Sequence, residues 1–130
     1  MEIPKDLKYT EEHEWVRIEE DGKAYIGITD FAQGELGELV YVEVDTVGET
    51  VAKGEVFGTV EAVKTTSDLY MPVDGVVEEF NSLLDSEDGD KPETVNESPY
   101  GEGWIIKISV SDPAQLDDLL DDTAYEAITS

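Results

Sequence analysis

The chain contains no cysteine. That excludes disulfides, thiolate metal sites, a cysteine nucleophile and a built-in redox dithiol, so any thiol chemistry has to come from an attached group. Histidine occurs once, as His13. A zinc site draws on about three protein ligands with nitrogen or sulfur prominent, and one imidazole does not supply them. No metal is expected. A lone His beside Trp15, near the start of a strand, reads as structural. Bases are scarce, with 8 Lys and Arg against 33 Asp and Glu and a net charge of −25. Such a surface repels nucleic acid and anionic membranes, so neither is an expected partner. No apolar run approaches the roughly 18 residues needed to span a bilayer. The opening residues 1–8 are charged and lack the apolar stretch of a signal peptide, which leads to the expectation of a soluble, cytoplasmic protein.

Catalytic signatures are missing as well. There is no G-x-S-x-G nucleophile turn. Gly101-Glu102-Gly103 lacks the further glycine and the Lys-Ser/Thr pair of phosphate-binding loops. In the run Asp85–Lys91, counting back from Gly89 puts Leu84 where a calcium loop needs its first carboxylate, so this is an acidic surface loop. With a quarter of the chain acidic, paired carboxylates carry no information. The sequence therefore points away from an enzyme.

What is present is enough for one domain over residues 1–130. The 39 % hydrophobic content supports a single core. Strand signals dominate. Trp15–Ile18 and Ala24–Ile28 flank a turn at Glu20–Lys23, and Leu39–Val44 follows. The segment from Val56 to Phe80 reads as three strands, Val56–Glu61, Ser67–Tyr70 and Val76–Phe80. Trp104–Val110 is the last strand. Thr29 can cap a short helical turn. Near the end, Asp112 can cap a helix with Pro113 at its first position and Gln115 three residues after the cap. Leu116, Leu119, Leu120, Ala124 and Ile128 fall on one stripe of that helix, expected over about 112–128. Short strands at this spacing predict a mainly β fold, a sandwich or barrel. The acidic excess fits a protein adapted to a high-salt cytoplasm, where charges are screened within about 3 Å. A chain adapted in that way loses its fold when salt is removed; an acidic docking surface does not require this.

One stretch, residues 54–80, reads as a rough internal repeat. Gly54 lies 10 residues before Lys64 and Gly75 lies 11 after it, and each glycine begins an apolar strand. The lysine falls midway, where the chain has to turn. A prosthetic arm needs such a place: a primary amine on a four-carbon stem, held clear of the surface by a rigid turn. A carrier built this way delivers a group between enzymes at high effective concentration. Position alone favours an idle solvated lysine.

The surrounding residues add to it. Val60-Glu61-Ala62-Val63-Lys64-Thr65-Thr66-Ser67-Asp68, followed by Pro72 and Gly75, resembles the lipoylation segment of the glycine cleavage H-protein family. The resemblance continues through His13-Glu14-Trp15, Gly27-Ile28-Thr29-Asp30, Leu36-Gly37-Glu38, Val95-Asn96 and Pro99–Trp104, in order along nearly the whole chain. Ala62, Thr65 and Thr66 depart mildly from the pattern and leave Lys64 intact.

The resemblance implies a barrel-sandwich hybrid with short helices and a C-terminal helix. It implies lipoate attached covalently to Lys64, and a non-catalytic, monomeric carrier of the aminomethyl group of glycine. The implied partners are glycine decarboxylase (P protein), an aminomethyltransferase (T protein), dihydrolipoamide dehydrogenase (L protein) and a lipoate-attaching enzyme. It further implies that the loaded arm tucks into a cleft where Glu14 and Asp68 receive its ammonium, and that Glu61 helps the lipoylating enzyme recognise the hairpin. Two other readings stand beside it: an H-like protein relaying lipoate to 2-oxoacid dehydrogenases, and an unmodified acidic interaction module. A biotin carrier fits less well, because that family flanks its lysine with methionines and Val63 and Thr65 stand here.

Overall fold

The computed structural model describes residues 2–129. Among these residues nine antiparallel strands make two sheets. The larger has six strands in the order β1 (Lys8–Tyr9), β2 (Glu14–Ile18), β3 (Lys23–Ile28), β9 (Ile106–Val110), β8 (Gly75–Phe80) and β5 (Thr50–Val51). The smaller has three, β4 (Leu39–Glu43), β6 (Val56–Ala62) and β7 (Thr66–Tyr70). Among the described residues the helices are short: α1 (Asp30–Leu36), α2 (Thr94–Glu97), a 3-10 turn at Pro113–Asp118 and α3 (Asp122–Thr129). The expected mainly β barrel-sandwich architecture is what the chain adopts.

Alternation explains the strands. In β3, Ala24, Ile26 and Ile28 point inward and are buried, while Lys23 and Tyr25 are only half-buried. Both sheets contribute to the main core, which includes Val16, Ile26, Phe57, Val60, Val77 and Ile108. Each such side chain contributes about 1.5–3 kcal/mol through burial. A second, aromatic cluster gathers Leu7, Tyr9, Trp15 and Tyr125. Gly27 is required there, since a Cβ at that position would lie 2.7 Å from the Trp15 ring.

The end of the chain differs from expectation. Residues 112–128 do not form one helix. Asp112 does cap the first turn, accepting from the Ala114 N–H, and Pro113 opens it. Gln115 does not complete a capping box; its amide instead clamps Asp74, accepting from the Asp74 N–H at 2.7 Å. The helix then breaks, because Leu119 is extended and Leu120 exchanges two 2.8 Å backbone hydrogen bonds with Tyr9. Two sheet-type bonds to Tyr9 hold the chain straight where helical periodicity alone would have carried it on. The stripe is displaced as a result: Ala124 and Ile128 are exposed, and Tyr125 is the buried anchor of α3.

Candidate functional site

β6 and β7 form a hairpin whose turn holds Val63, Lys64 and Thr65. The Ala62 N–H donates to the Thr65 carbonyl at 2.7 Å and closes the turn. The Val63 N–H donates to the Glu38 carbonyl at 3.2 Å, which ties the turn to the loop between α1 and β4. Beneath it, buried Ala62 pairs with buried Leu39. The base of the hairpin is therefore anchored, while the tip is open: Lys64 is exposed and Val63 is 70 % exposed.

From the tip, β7 runs back along a cleft of about 400 Å³. Asp68 and Leu69 line it from β7, Phe31 and Leu36 from α1, Glu14 from the first position of β2 and His13 from just before it. Glu12 and Glu35 add two more carboxylates. The walls are thus apolar over part of their surface and acidic over the rest.

Glu14 is the unusual group, only 2 % exposed. The Thr10 hydroxyl donates to its Oε1 at 2.8 Å and the Tyr70 N–H donates to its Oε2 at 3.2 Å. Burial pushes its carboxyl up to about 7, against the opposing pull of those hydrogen bonds. Near neutral pH it sits close to its titration point. A cation arriving beside it favours the ionised form and leaves a charge-assisted pair largely shielded from water. Glu14 also borders a second hollow of about 330 Å³, with Tyr70 and Lys53.

His13 has a left-handed backbone, φ 70°, an uncommon conformation for a residue with a side chain. Its Nδ1 lies 2.8 Å from the Tyr125 hydroxyl, which lies 2.7 Å from Thr29 Oγ1. The ring packs on Phe31 with centroids 4.8 Å apart. Burial lowers its pKa, so the imidazole is neutral at pH 7 and adds no positive charge to the cleft. The lone histidine is held by a structural network, as expected, and it is also part of the cleft wall.

Lys64 is therefore on a hairpin tip, and Glu14 and Asp68 share one cleft beside it. Glu61 is not part of that lining; it lies exposed on β6, paired across the hairpin with Thr66. The sequence reading missed the α1 wall. Phe31, Ala32, Glu35 and Leu36 all face the cleft, and their spacing is one side of a helix, a signal present in the sequence. Tyr125 was missed because the helix break shifts the stripe. The arrangement offers a free amine on a rigid turn and a nearby acidic pocket sized for a small cationic group on an apolar stem.

The sequence matches the family model described as "Glycine cleavage H-protein" over residues 7–130. It is 52 % identical over 130 residues to the glycine cleavage system H protein of Bacteroides thetaiotaomicron, covering 100 % of this chain and 99 % of that one. It is 56 % identical over 128 residues to the protein of the same name from Brevibacillus brevis, covering 98 % of each. The fold is similar to the crystal structure of a glycine cleavage system H protein from Mycobacterium marinum, with a TM-score of 0.84, 38 % identity and 96 % and 97 % of the two chains covered.

Proposed function

Because this chain belongs to the glycine cleavage H-protein family, we propose that Lys64 is the lysine through which it carries lipoate. The protein is a lipoyl carrier of the glycine cleavage system and not a catalyst. It works with the glycine decarboxylase, the aminomethyltransferase and the dihydrolipoamide dehydrogenase of that system, and with the enzyme that attaches lipoate. The observation that carries the assignment is an exposed lysine in a turn whose neighbours are tied down on both sides, by the Ala62–Thr65 and Val63–Glu38 bonds.

When attached, the lipoyl group would supply, in its disulfide form, the sulfur that takes up the aminomethyl group of glycine as the S–S bond opens, and would be left as the dithiol once that group has passed on. The chain's own residues present and shelter it. The turn keeps the Lys64 amine clear of the body. Leu69, Phe31 and Leu36 offer an apolar bed for the stem. Glu14 and Asp68 receive the ammonium, Glu14 from a buried position and Asp68 from the rim. Glu61, one strand position from the turn, is a recognition element for the lipoylating enzyme. In this reading residues 1–130 act as one monomeric carrier domain, with residues 54–80 as the lipoyl segment. Among the described residues no helix is long and apolar enough to cross a membrane. A cytoplasmic setting suits this acidic carrier.

The test is reconstitution. Lipoylated protein supports glycine-dependent turnover with the three partner enzymes, and Lys64→Arg, taken through the same lipoylation step, gives none. Turnover by the Lys64→Arg protein would move the attachment elsewhere. Transfer of lipoate to 2-oxoacid dehydrogenases without glycine-dependent turnover would replace cleavage by relay.

A further inference from the structure

We infer that Asn96 is a positioning residue that sets the Lys64 turn relative to the arm cleft. The inference rests on the lipoyl assignment above and names what holds that site in place.

Asn96 lies on α2, next to fully buried Val95. Its Oδ1 accepts from the Leu39 N–H at 3.0 Å. Its Nδ2 donates to the Gly37 carbonyl at 2.8 Å and to Gln33 Oε1 at 3.0 Å. The amide can face only one way, since an N–H needs an oxygen and a carbonyl needs a donor. The three partners run in order from Gln33 of α1 through Gly37 of the loop to Leu39, the first residue of β4.

Glu38 stands between the two backbone groups that Asn96 grips, and its carbonyl accepts the Val63 N–H next to Lys64. Gly37 has φ 80°, so the loop turns sharply at that point. Gripping both flanks of Glu38 fixes where its carbonyl points and therefore where the lipoyl turn sits. The Gln33 bond reaches the other part of the site. Gln33 belongs to α1, the helix that gives Phe31 and Leu36 to the cleft. One side chain thus joins the anchor of the arm to the wall of its receptacle. A tether of fixed length delivers its end to a pocket only when both ends of the path are held, and small misplacements are expensive in rate.

The structure contains its own control. Asn81 is 3 % exposed and likewise makes three bonds, one as acceptor and two as donor. It accepts from the Leu83 N–H at 3.1 Å and donates to the carbonyls of Glu102 and Trp104, both at 2.7 Å. None of these three bonds is to the hairpin or to the α1–β4 loop.

The experiment compares full-length Asn96→Ala, Asn96→Asp and Asn81→Ala. The readouts are amide exchange at Val63 and kcat/KM for lipoylation of Lys64 by a lipoate ligase. In both Asn96 variants we expect Val63 exchange to rise and kcat/KM to fall by about tenfold relative to Asn81→Ala, the scale of one or two lost half-buried hydrogen bonds. Asn96→Asp keeps the acceptor for Leu39 but turns an oxygen toward the Gly37 carbonyl and Gln33, and it carries the test if the alanine variant does not fold. Unchanged Val63 exchange and kcat/KM in a folded Asn96 variant overturn the inference, as does an equal effect of Asn81→Ala. If the parent protein takes lipoate at another lysine, the assignment of Lys64 fails instead, and Val63 exchange alone still decides the role of Asn96.

Discussion

The two halves of the site, hairpin and cleft, are built in opposite ways. At the hairpin tip Lys64 and Val63 are exposed, and backbone bonds close the turn and tie it to the α1–β4 loop. A few residues along β7 the cleft begins, and beyond it Glu14 is buried, His13 is locked to Tyr125, and Trp15, Tyr9 and Tyr125 pack as an aromatic block. Presentation requires a rigid base and an uncommitted tip; reception requires prearranged, partly dry groups. The difference teaches that stiffness beneath an exposed lysine suits it to the carrier role proposed for Lys64, and that lost water suits a carboxylate to the receiving role proposed for Glu14.

Breaking the receiving side should have the largest effect. Tyr125→Ala removes a ring stacked on Tyr9 at 4.7 Å together with the hydroxyl shared by His13 and Thr29. It should lower stability by about 3–5 kcal/mol, as other buried aromatic truncations do. Thermal or urea unfolding measures it, and a loss below about 1 kcal/mol would mean that α3 is not anchored as described.

A middle effect comes from pH. Glu14 titrates at about 7 in the fold, against an ordinary value of 4.5. Below the ordinary value both states hold the proton and no penalty arises. Between 4.5 and 7 the unfolded chain ionises while the fold keeps its proton, so stability falls as pH rises. Above that window the penalty is complete, on the order of 3 kcal/mol. His13 acts in the opposite sense: its lowered pKa makes stability fall as pH drops below its ordinary 6.5. The two windows overlap below 6.5, where His13 offsets part of the fall due to Glu14, so Glu14→Gln should remove the fall in stability between 4.5 and 7. An unchanged slope in that variant would show that Glu14 is not the group responsible.

The smallest effect belongs to the presenting side. Val63→Ser changes an exposed turn residue with no core contact to lose, so stability should move by less than about 0.5 kcal/mol. A larger drop in the unfolding midpoint would mean that the tip is packed and the contrast with the cleft is overstated.

Much of this was legible in the sequence. The strands from Trp15 to Phe80 followed from alternation, and the place of Lys64 followed from two glycine-led strands with a turn between them. β1 and β5 are two residues each, too short to produce a period. The break at Leu119–Leu120 depends on Tyr9, more than 100 residues away in the chain, and no local pattern contains that bond. Asp68 and Glu14 came from a family resemblance; that they share a cleft is a matter of how β7 and β2 pack. The burial of Glu14 was invisible among 33 acids, because a carboxylate in sequence does not show its desolvation. Asn96 was legible only as part of a motif, and its three bonds need the fold.

The most direct test is to treat the purified protein with a lipoate ligase and map the product by peptide mass, with Lys64→Arg alongside. One lipoyl group on the peptide containing Lys64, absent from the variant, is the result expected. A group on another lysine, or none on any peptide, would contradict the hairpin assignment.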